Sequence, residues 1–455
     1  MSKPIIIRYD GNNIKQSSIT SSFVKSIQLC EKKQLIIIVS SITSLENKIE
    51  EGIKAMCLFN CDIDLFTGKI QDEINQIKTQ YNLKSSDFQS LTDKLNILLE
   101  GIHLTGDFSR SLKDQVLSYA EKITSSLFVS ILTKKGVPAN LILPENIGLT
   151  VTEEYGNASI LTEESKDSVI SNIKDQISVI PGSYGINKKG KISITGYRSA
   201  DYTAAALSSI FDADCMEIWQ TGDPFKSADS QYVKDSSFIR DLSYDEASEL
   251  SYFNSGIYPR MVEPLMLKHI PVFIYDIENG KKELRTKINS NIVVAPKIIK
   301  SVVCSDDIAV MNLNGPGVGF KPGILAKVTG AFNRQHLNIR SVITAQTSIN
   351  IIINKKDIPE VKQIIKELDL KSVRQTEITE NVSLIAVVGQ GMQSSHGISA
   401  QLFTAIAKIK INVLLSGSGA SNLVSYLIVN EKDKIKAIRE IHKVFLEPET
   451  KNNNE

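Results

Sequence analysis

The sequence predicts a mostly parallel α/β sheet sandwiched by helices, followed by two α+β units of the ferredoxin-like β-α-β-β-α-β pattern. Three observations carry this. Short β-rich runs alternate with longer helical patterns over about the first 290 residues, the order expected of a parallel sheet with helical crossovers. The pattern changes after about residue 295. A glycine-rich segment then occurs twice, 74 residues apart.

Strands are expected at 4–9, 34–40, 139–143, 177–181, 191–195, 215–219 and 271–275. The clearest are the unbroken apolar runs Pro4-Ile5-Ile6-Ile7 and Leu35-Ile36-Ile37-Ile38-Val39, as strands buried on both faces require. Helices are expected at 71–79, 86–100, 109–135, 164–175, 201–211 and 244–253. Asp201 opens the Ala-rich run Asp-Tyr-Thr-Ala-Ala-Ala, where an acid suits a helix N-terminus.

The repeat aligns Gly315-Pro316-Gly317-Val318-Gly319 with Gly389-Gln390-Gly391-Met392-Gln393, and Gly323-Ile324 with Gly397-Ile398. At the same offset Ala326 meets Ala400, Ala331 meets Ala405, and Asn338 meets Asn412. Glycines let backbone pass close to a partner, and a following helix offers free N–H groups. A small carboxylate-bearing molecule fits such a loop; a tight strand-to-helix turn explains the glycines equally well. The expected divisions are 1–295, 300–375, 380–447 and an unstructured polar tail at 448–455.

Composition narrows the function. The chain has 455 residues, 42% of them hydrophobic, enough for several buried cores and too many for disorder. Its 52 Lys and Arg nearly cancel 51 Asp and Glu, which speaks against nucleic acid or an anionic membrane as the main partner. No apolar stretch approaches the roughly 20 residues of a membrane helix. The chain opens directly into a strand pattern with no signal core, so a cytoplasmic setting is expected. Five cysteines make no disulfide framework, and Cys57 and Cys61 read as two half-buried helix cysteines rather than a metal clip.

Several stretches resemble the aspartate kinases: Ala213-Asp214-Cys215-Met216-Glu217-Ile218-Trp219, Leu242-Ser243-Tyr244-Asp245-Glu246-Ala247 and Ala200-Asp201-Tyr202-Thr203-Ala204-Ala205. The likeness covers nearly the whole chain. It is strongest to the kinase half of the bifunctional aspartate kinase–homoserine dehydrogenases, and the repeat resembles that family's tandem ACT domains. The implied fold is amino-acid kinase-like with two ACT units. The implied reaction moves the γ-phosphoryl group of ATP, with Mg²⁺, to the side-chain carboxylate of L-aspartate. A lysine or threonine effector, and a homo-oligomer or a hetero-oligomer with an active paralogue, are implied as well.

Carried over position by position, the resemblance makes Arg8 and Asp201 catalytic. It puts Asn12, Asn13, Ser40, Glu121 and Arg198 on the substrate. Gly11, Thr221, Asp223 and Arg260 fall on the nucleotide, and Gln346, Asn338, Gly323 and Ile324 on an effector. The family's Lys-Phe-Gly-Gly-Thr-Ser stands here as Arg8-Tyr9-Asp10-Gly11-Asn12-Asn13, so Asp10 adds an acid where a glycine lets phosphates approach. The family's Gly-Arg-Gly-Gly-Ser-Asp-Tyr stands as Gly196-Tyr197-Arg198-Ser199-Ala200-Asp201-Tyr202, its arginine displaced by one. The segment ending Phe253 to Arg260 has lost its lysine. Plainer readings stand beside these: Glu121 as a solvated helix residue, Asp201 as a helix cap, Ser40 and Asn338 as turn residues. Two alternatives to a kinase weakened at its nucleotide side therefore remain. One is a catalytically impaired homologue acting as amino-acid sensor or regulatory subunit; the other is a kinase of another small amino acid or carboxylate.

Overall fold

The computed structural model describes residues 3–30, 33–57, 62–84, 88–222, 225–253, 257–278, 281–294, 298–319, 321–368, 370–419 and 421–447. It forms two compact units, one of residues 1–225 with 238–292, the other of 226–237 with 293–455. The expected division at 295 thus moves, because the short stretch 226–237 belongs with the carboxy-terminal unit: Ala228 bridges to Val302 there, and Ser227 Oγ lies 3.0 Å from His442 Nε2.

The first unit contains strands β1 (Ile5–Tyr9), β2 (Leu35–Val39), β3 (Asn140–Leu141), β4 (Thr150–Val151), β5 (Ile177–Pro181) and β6 (Tyr184–Asn187). It continues with β7 (Ile192–Ile194), β8 (Met216–Gln220), β9 (Asp241–Ser243), β10 (Val272–Asp276) and β11 (Glu283–Asn289). Its helices are α1 (Ser17–Gln28), α2 (Thr43–Met56), α3 (Ile63–Tyr81), α4 (Gln89–Thr105) and α5 (Arg110–Lys134). They continue with α6 (Pro144–Ile147), α7 (Thr162–Asn172), α8 (Ala200–Ile210), α9 (Tyr244–Tyr252) and α10 (Val262–Lys268).

Eight strands make one sheet in the order β3-β5-β2-β1-β8-β10-β11-β9. The pairings from β3 to β10 are all parallel, and β11 runs antiparallel to β10. Ile36, Ile37 and Ile38 are fully buried, which is why β2 reads as a continuous apolar run. The expected strand at 191–195 forms as β7, but in a separate three-stranded sheet, β4-β6-β7. Register sets up the site. Tyr9 is level with Val39 and Trp219, and Val39 with Pro181. The turns after β1, β2, β5 and β8 therefore leave the sheet at one edge, where parallel sheets hold their ligands.

Four helices of this unit lie outside the expected set, the long α1 and α2 and the short α6 and α10. The run Ser-Ser-Ile-Thr-Ser-Ser of α1 looks unhelical because short hydroxyl side chains compete for backbone groups. Here Ser21 and Ser22 donate to the carbonyls of Ser17 and Ser18 four residues back, while Ile19, Phe23 and Ile27 bury a face of helical period. No described helix is long and apolar enough to cross a membrane. Among the described residues Cys30, Cys57, Cys215 and Cys304 are free thiols; Cys61 and the tail at 448–455 lie outside them.

The second unit contains β12 (Ser301–Ser305), β13 (Ala309–Asn314), α11 (Ile324–Arg334), β14 (Ile339–Thr344), β15 (Ser348–Ile353), α12 (Ile358–Glu367) and β16 (Gln375–Thr379). It ends with β17 (Val382–Val388), α13 (Ile398–Lys408), β18 (Leu415–Ser418), β19 (Val424–Asn430) and α14 (Lys434–Leu446). Two antiparallel sheets form, β14-β15-β13-β16 and β12-β17-β19-β18. The boundary expected at 300–375 is corrected by these pairings. Strand β12 completes the sheet of the later repeat, and β16 completes the sheet of the earlier one.

The correction has the same 74-residue offset as the sequence repeat. Arg374 N donates to Asn314 O, and Lys300 N donates to Val388 O, 2.8 Å in each case. The repeated glycines report the same swap: a Cβ on Gly315 would lie 2.1 Å from Ser372 O, and one on Gly389 2.0 Å from Ile298 O. Each glycine lets the segment leading into the fourth strand press against the loop. In register, Cys304 faces Ile385 across β12 and β17. Facing residues of an antiparallel pair lie within disulfide reach, about 4.5–5.5 Å between Cα atoms. Ile385→Cys is accordingly expected to form an intramolecular disulfide with Cys304 under mild oxidation, read by peptide mass mapping; absence of that crosslink would restore the unexchanged arrangement.

Candidate functional site

Side-chain alternation along β1 turns Tyr9 into the core beneath the sheet, where its ring stacks 4.6 Å from Phe128, and sends Arg8 to the opposite face. There Arg8 meets α8. Its Nε lies 2.7 Å from Asp201 Oδ1, with the two side chains 8% and 1% exposed. The contact is ionic rather than a well-aligned hydrogen bond, and Arg8 Nη1 has no partner. Burial works against the guanidinium charge, and the carboxylates of Asp201, Asp10 and Glu121 more than offset it. Burial pushes the Asp201 carboxyl up, held back by Arg8 and by the Tyr258 N–H that donates to Oδ2 at 2.9 Å.

Glu121 lies midway along α5, whose central turns are buried nearly all round. It is 5% exposed, so the reading as a solvated helix residue is overturned. Burial pushes its carboxyl well above the ordinary range; Glu46 adds to this, and Ser183, the Ser41 amide and Arg8 oppose it. Its Oε2 has no hydrogen-bond partner. Three buried polar groups from three elements thus face one small region with bonding capacity unused.

The turn after β1 is closed on itself. Asp10 Oδ1 accepts from the backbone N–H and from Nδ2 of Asn12, both at 2.9 Å. Gly11 N donates to Ser40 Oγ at 3.2 Å, and Asn13 N to Asp10 O at 3.0 Å. A Cβ on Gly11 would sit 2.1 Å from Ser40 O, so glycine here lets the turns after β1 and β2 touch. Ser40 therefore acts as a turn residue that clamps Gly11. Asn12 continues outward: its Oδ1 accepts from Thr43 N at 2.9 Å and its Nδ2 donates to Thr43 Oγ1 at 3.0 Å. Asn13 is buried with Nδ2 unpaired.

Arg198 joins from the turn before α8, with φ of 55° and an exposed side chain. Its Nη2 lies 3.3 Å from Thr43 Oγ1. The displaced arginine thus returns to the same rim. Arg260 does not. Its Nη1 donates to Asn157 Oδ1 and Ala158 O at 3.1 Å and its Nη2 to Ser159 Oγ at 2.7 Å, with Tyr202 stacked on the guanidinium. It holds loops together, and its donors are engaged. Thr221 follows β8 at the site edge, and Asp223 lies outside the described residues.

In the second unit Gly323 caps α11 in the left-handed region, and Ile324 is buried in the core behind it. Gln346 O accepts from Gly319 N at 3.1 Å, so the glycine-rich loop touches the β14–β15 turn. Asn338 does not join this group: it precedes β14 and Gln346 follows it, which separates them by roughly 20 Å of extended chain.

Glu46 and Tyr258 were not foreseen. Glu46 accepts from Ser41 Oγ at 2.5 Å on the unexpected helix α2. Tyr258 anchors Asp201 from the segment that lost its lysine. An acid three or four residues into a helix that follows Ser40-Ser41 was the signal available for Glu46; none marked Tyr258.

The amino acid kinase family matches residues 3–276, and an ACT domain matches 385–445. The bifunctional aspartokinase/homoserine dehydrogenase of Buchnera aphidicola is 25% identical over 382 residues, 81% of this chain and 47% of the relative. That of Haemophilus influenzae is 26% identical over 422 residues, 90% of this chain and 51% of the relative. The chain thus spans about half the length of these curated relatives. Escherichia coli aspartokinase III, solved in complex with aspartate and ADP, superposes with a TM-score of 0.84 at 17% identity, covering 98% of this chain and 100% of that one; this is a likeness of fold.

Because Glu121 has a raised carboxyl pKa, its contribution to stability is full below the ordinary value and is lost as pH rises through the raised one. Glu121→Gln removes that loss. The variant is expected to melt higher than the parent at pH 7–8, by about 2–4 °C for each kcal/mol or so relieved, with the gap closing toward pH 4. A melting temperature unchanged or lower at pH 8 would show that the ionised carboxylate is compensated by the fold.

Proposed function

The chain is a member of the amino acid kinase family, and on that premise we propose that it is an aspartate kinase, transferring the γ-phosphoryl group of ATP to the side-chain carboxylate of L-aspartate to give 4-phospho-L-aspartate. The observation that carries this is the convergence of Arg8, Asp201 and Glu121 in one buried cluster at the strand ends. Glu121 Oε2 is an unpaired acceptor for an α-ammonium group, and an arriving cation would relieve the burial of the carboxylate. Arg8 Nη1 is an unpaired donor for a carboxylate or phosphoryl oxygen.

The substrate carboxylate is already ionised at neutral pH, so the chain need supply no general base. Its task is alignment and neutralisation of charge. Arg8 from within and Arg198 from the rim are the cations for that task, with Thr221 at the nucleotide side. ATP brings the phosphoryl group, and Mg²⁺ would take its ligands from phosphate and water, since Asp201 is already held by Arg8 and the Tyr258 N–H. In the second unit, Gly323, Ile324 and Gln346 support a site for a small amino-acid effector, lysine or threonine. A cytoplasmic oligomer fits this reading.

One observation favours the second reading, an impaired homologue acting as sensor or regulatory subunit. The N–H groups of Gly11, Asn12 and Asn13 are all engaged within the protein. The two readings part in a hydroxylamine-trapping assay with aspartate and Mg-ATP. A kinase forms aspartyl hydroxamate, and Arg8→Ala lowers its kcat by about 10²–10³, the usual effect of losing one charged donor. No hydroxamate from the parent, with aspartate binding intact by calorimetry, would establish the regulatory reading. Glu121→Ala is expected to abolish aspartate binding in either case; retained binding would remove Glu121 from the substrate site.

A further inference from the structure

We infer that the Asp10 carboxylate is a built-in anion that occupies the turn where a nucleotide's phosphates would be received, and so sets the affinity for ATP; this rests on the kinase reading of the site. The first turn after a parallel strand receives phosphates through backbone N–H groups and a nearby cation. In this chain Asp10 Oδ1 holds the Asn12 N–H at 2.9 Å, and Asp10 O holds the Asn13 N–H at 3.0 Å. The charge of Asp10 also bears on Arg8, the buried cation beside the turn. The internal carboxylate thus takes one donor of a phosphate receptor, the Asn12 N–H, and a share of its positive potential, while the backbone carbonyl of the same residue takes the Asn13 N–H.

The reach of Asp10 extends to the outer cation. Its Oδ1 also accepts from Asn12 Nδ2, which donates to Thr43 Oγ1 at 3.0 Å, and Arg198 Nη2 lies 3.3 Å from that oxygen. Asp10, Asn12, Thr43 and Arg198 form a chain in which the carboxylate orients the amide and the amide orients the hydroxyl that Arg198 touches. Asp10 is a positioning residue through this chain and an electrostatic opponent of phosphate by its own charge. An incoming phosphate must either displace it or lie against it.

The experiment compares full-length protein with Asp10→Asn and Asp10→Ser. Asparagine keeps the acceptor oxygen without the charge, and serine keeps a hydroxyl that can accept from the turn's N–H groups if asparagine folds poorly. Removing a like charge beside a bound anion is expected to tighten Mg-ATP binding by about tenfold or more, read by calorimetry at low salt. The gain is expected to shrink as salt is raised, with the dissociation constant for L-aspartate unchanged. A purely structural role for Asp10 would weaken both ligands or move neither. Folded variants that bind Mg-ATP no better than the parent, including the case in which none binds it, would overturn the inference. Tighter Mg-ATP binding without hydroxamate formation would uphold it while the kinase reading falls; equal binding and equal turnover in parent and variants would do the reverse.

Discussion

A guanidinium on the first strand, buried to 7% exposure, is the constraint around which the amino-terminal unit is arranged. A charge so placed must be neutralised by partners brought to it, because leaving it alone costs several kcal/mol and removing one partner of such a pair about 3–5. Asp201 supplies contact neutralisation from the start of α8, Tyr258 fixes Asp201 from the far side, and Glu121 and Asp10 complete the field. Four segments distant in sequence are thereby held at the same sheet edge. The unsatisfied capacity of Arg8 Nη1 and Glu121 Oε2 is then chemically meaningful, since buried polar groups in folded proteins are rarely left unpaired without a role.

The surroundings of this pair carry more acid than base. Asp10, Glu46, Glu121 and Asp201 stand against Arg8 and Arg198. Burial and mutual repulsion move three of these carboxyls, Glu46, Glu121 and Asp201, upward, so the surplus is eased by proton uptake or by an arriving cationic group. An ammonium-bearing substrate answers that surplus; a triphosphate aggravates it. On the kinase reading proposed above, the tension between these two ligands would set the chemical character of the site.

The central strands were legible because burial on both faces of a parallel sheet leaves unbroken apolar runs, as in Leu35 to Val39. Helices α1 and α2 were not, since local serine and threonine chemistry masked an apolar period that only tertiary packing makes decisive. Resemblance singled out Arg8, Asp201 and Glu121, which the structure brings together, and the burial of Glu121 removes its reading as a solvated helix residue. A motif match did not show that the Arg260 guanidinium is engaged by Asn157, Ala158 and Ser159. Asp10 was legible as an anomaly, but its engagement of Asn12 depends on a turn geometry that no spacing rule encodes. Asn338 matched a pattern, yet strand direction places it at the wrong end of β14 from Gln346.

The repeat was visible at its full 74-residue offset, whereas the exchange of its outer strands was not, because a strand's own alternation does not name its partner. That exchange orders events on the ribosome. The earlier sheet has all its strands once residue 379 has emerged, while β12, made before any of them, has no partner strand until β17 follows, the single bridge from Ala228 to Val302 aside. Its Ser-Val-Val-Cys-Ser backbone stays an open edge through the synthesis of an entire inserted unit, the kind of edge that recruits foreign strands. A nascent chain stalled in that interval would be a client for chaperones, and a truncated product ending there would be sticky although its first sheet is whole.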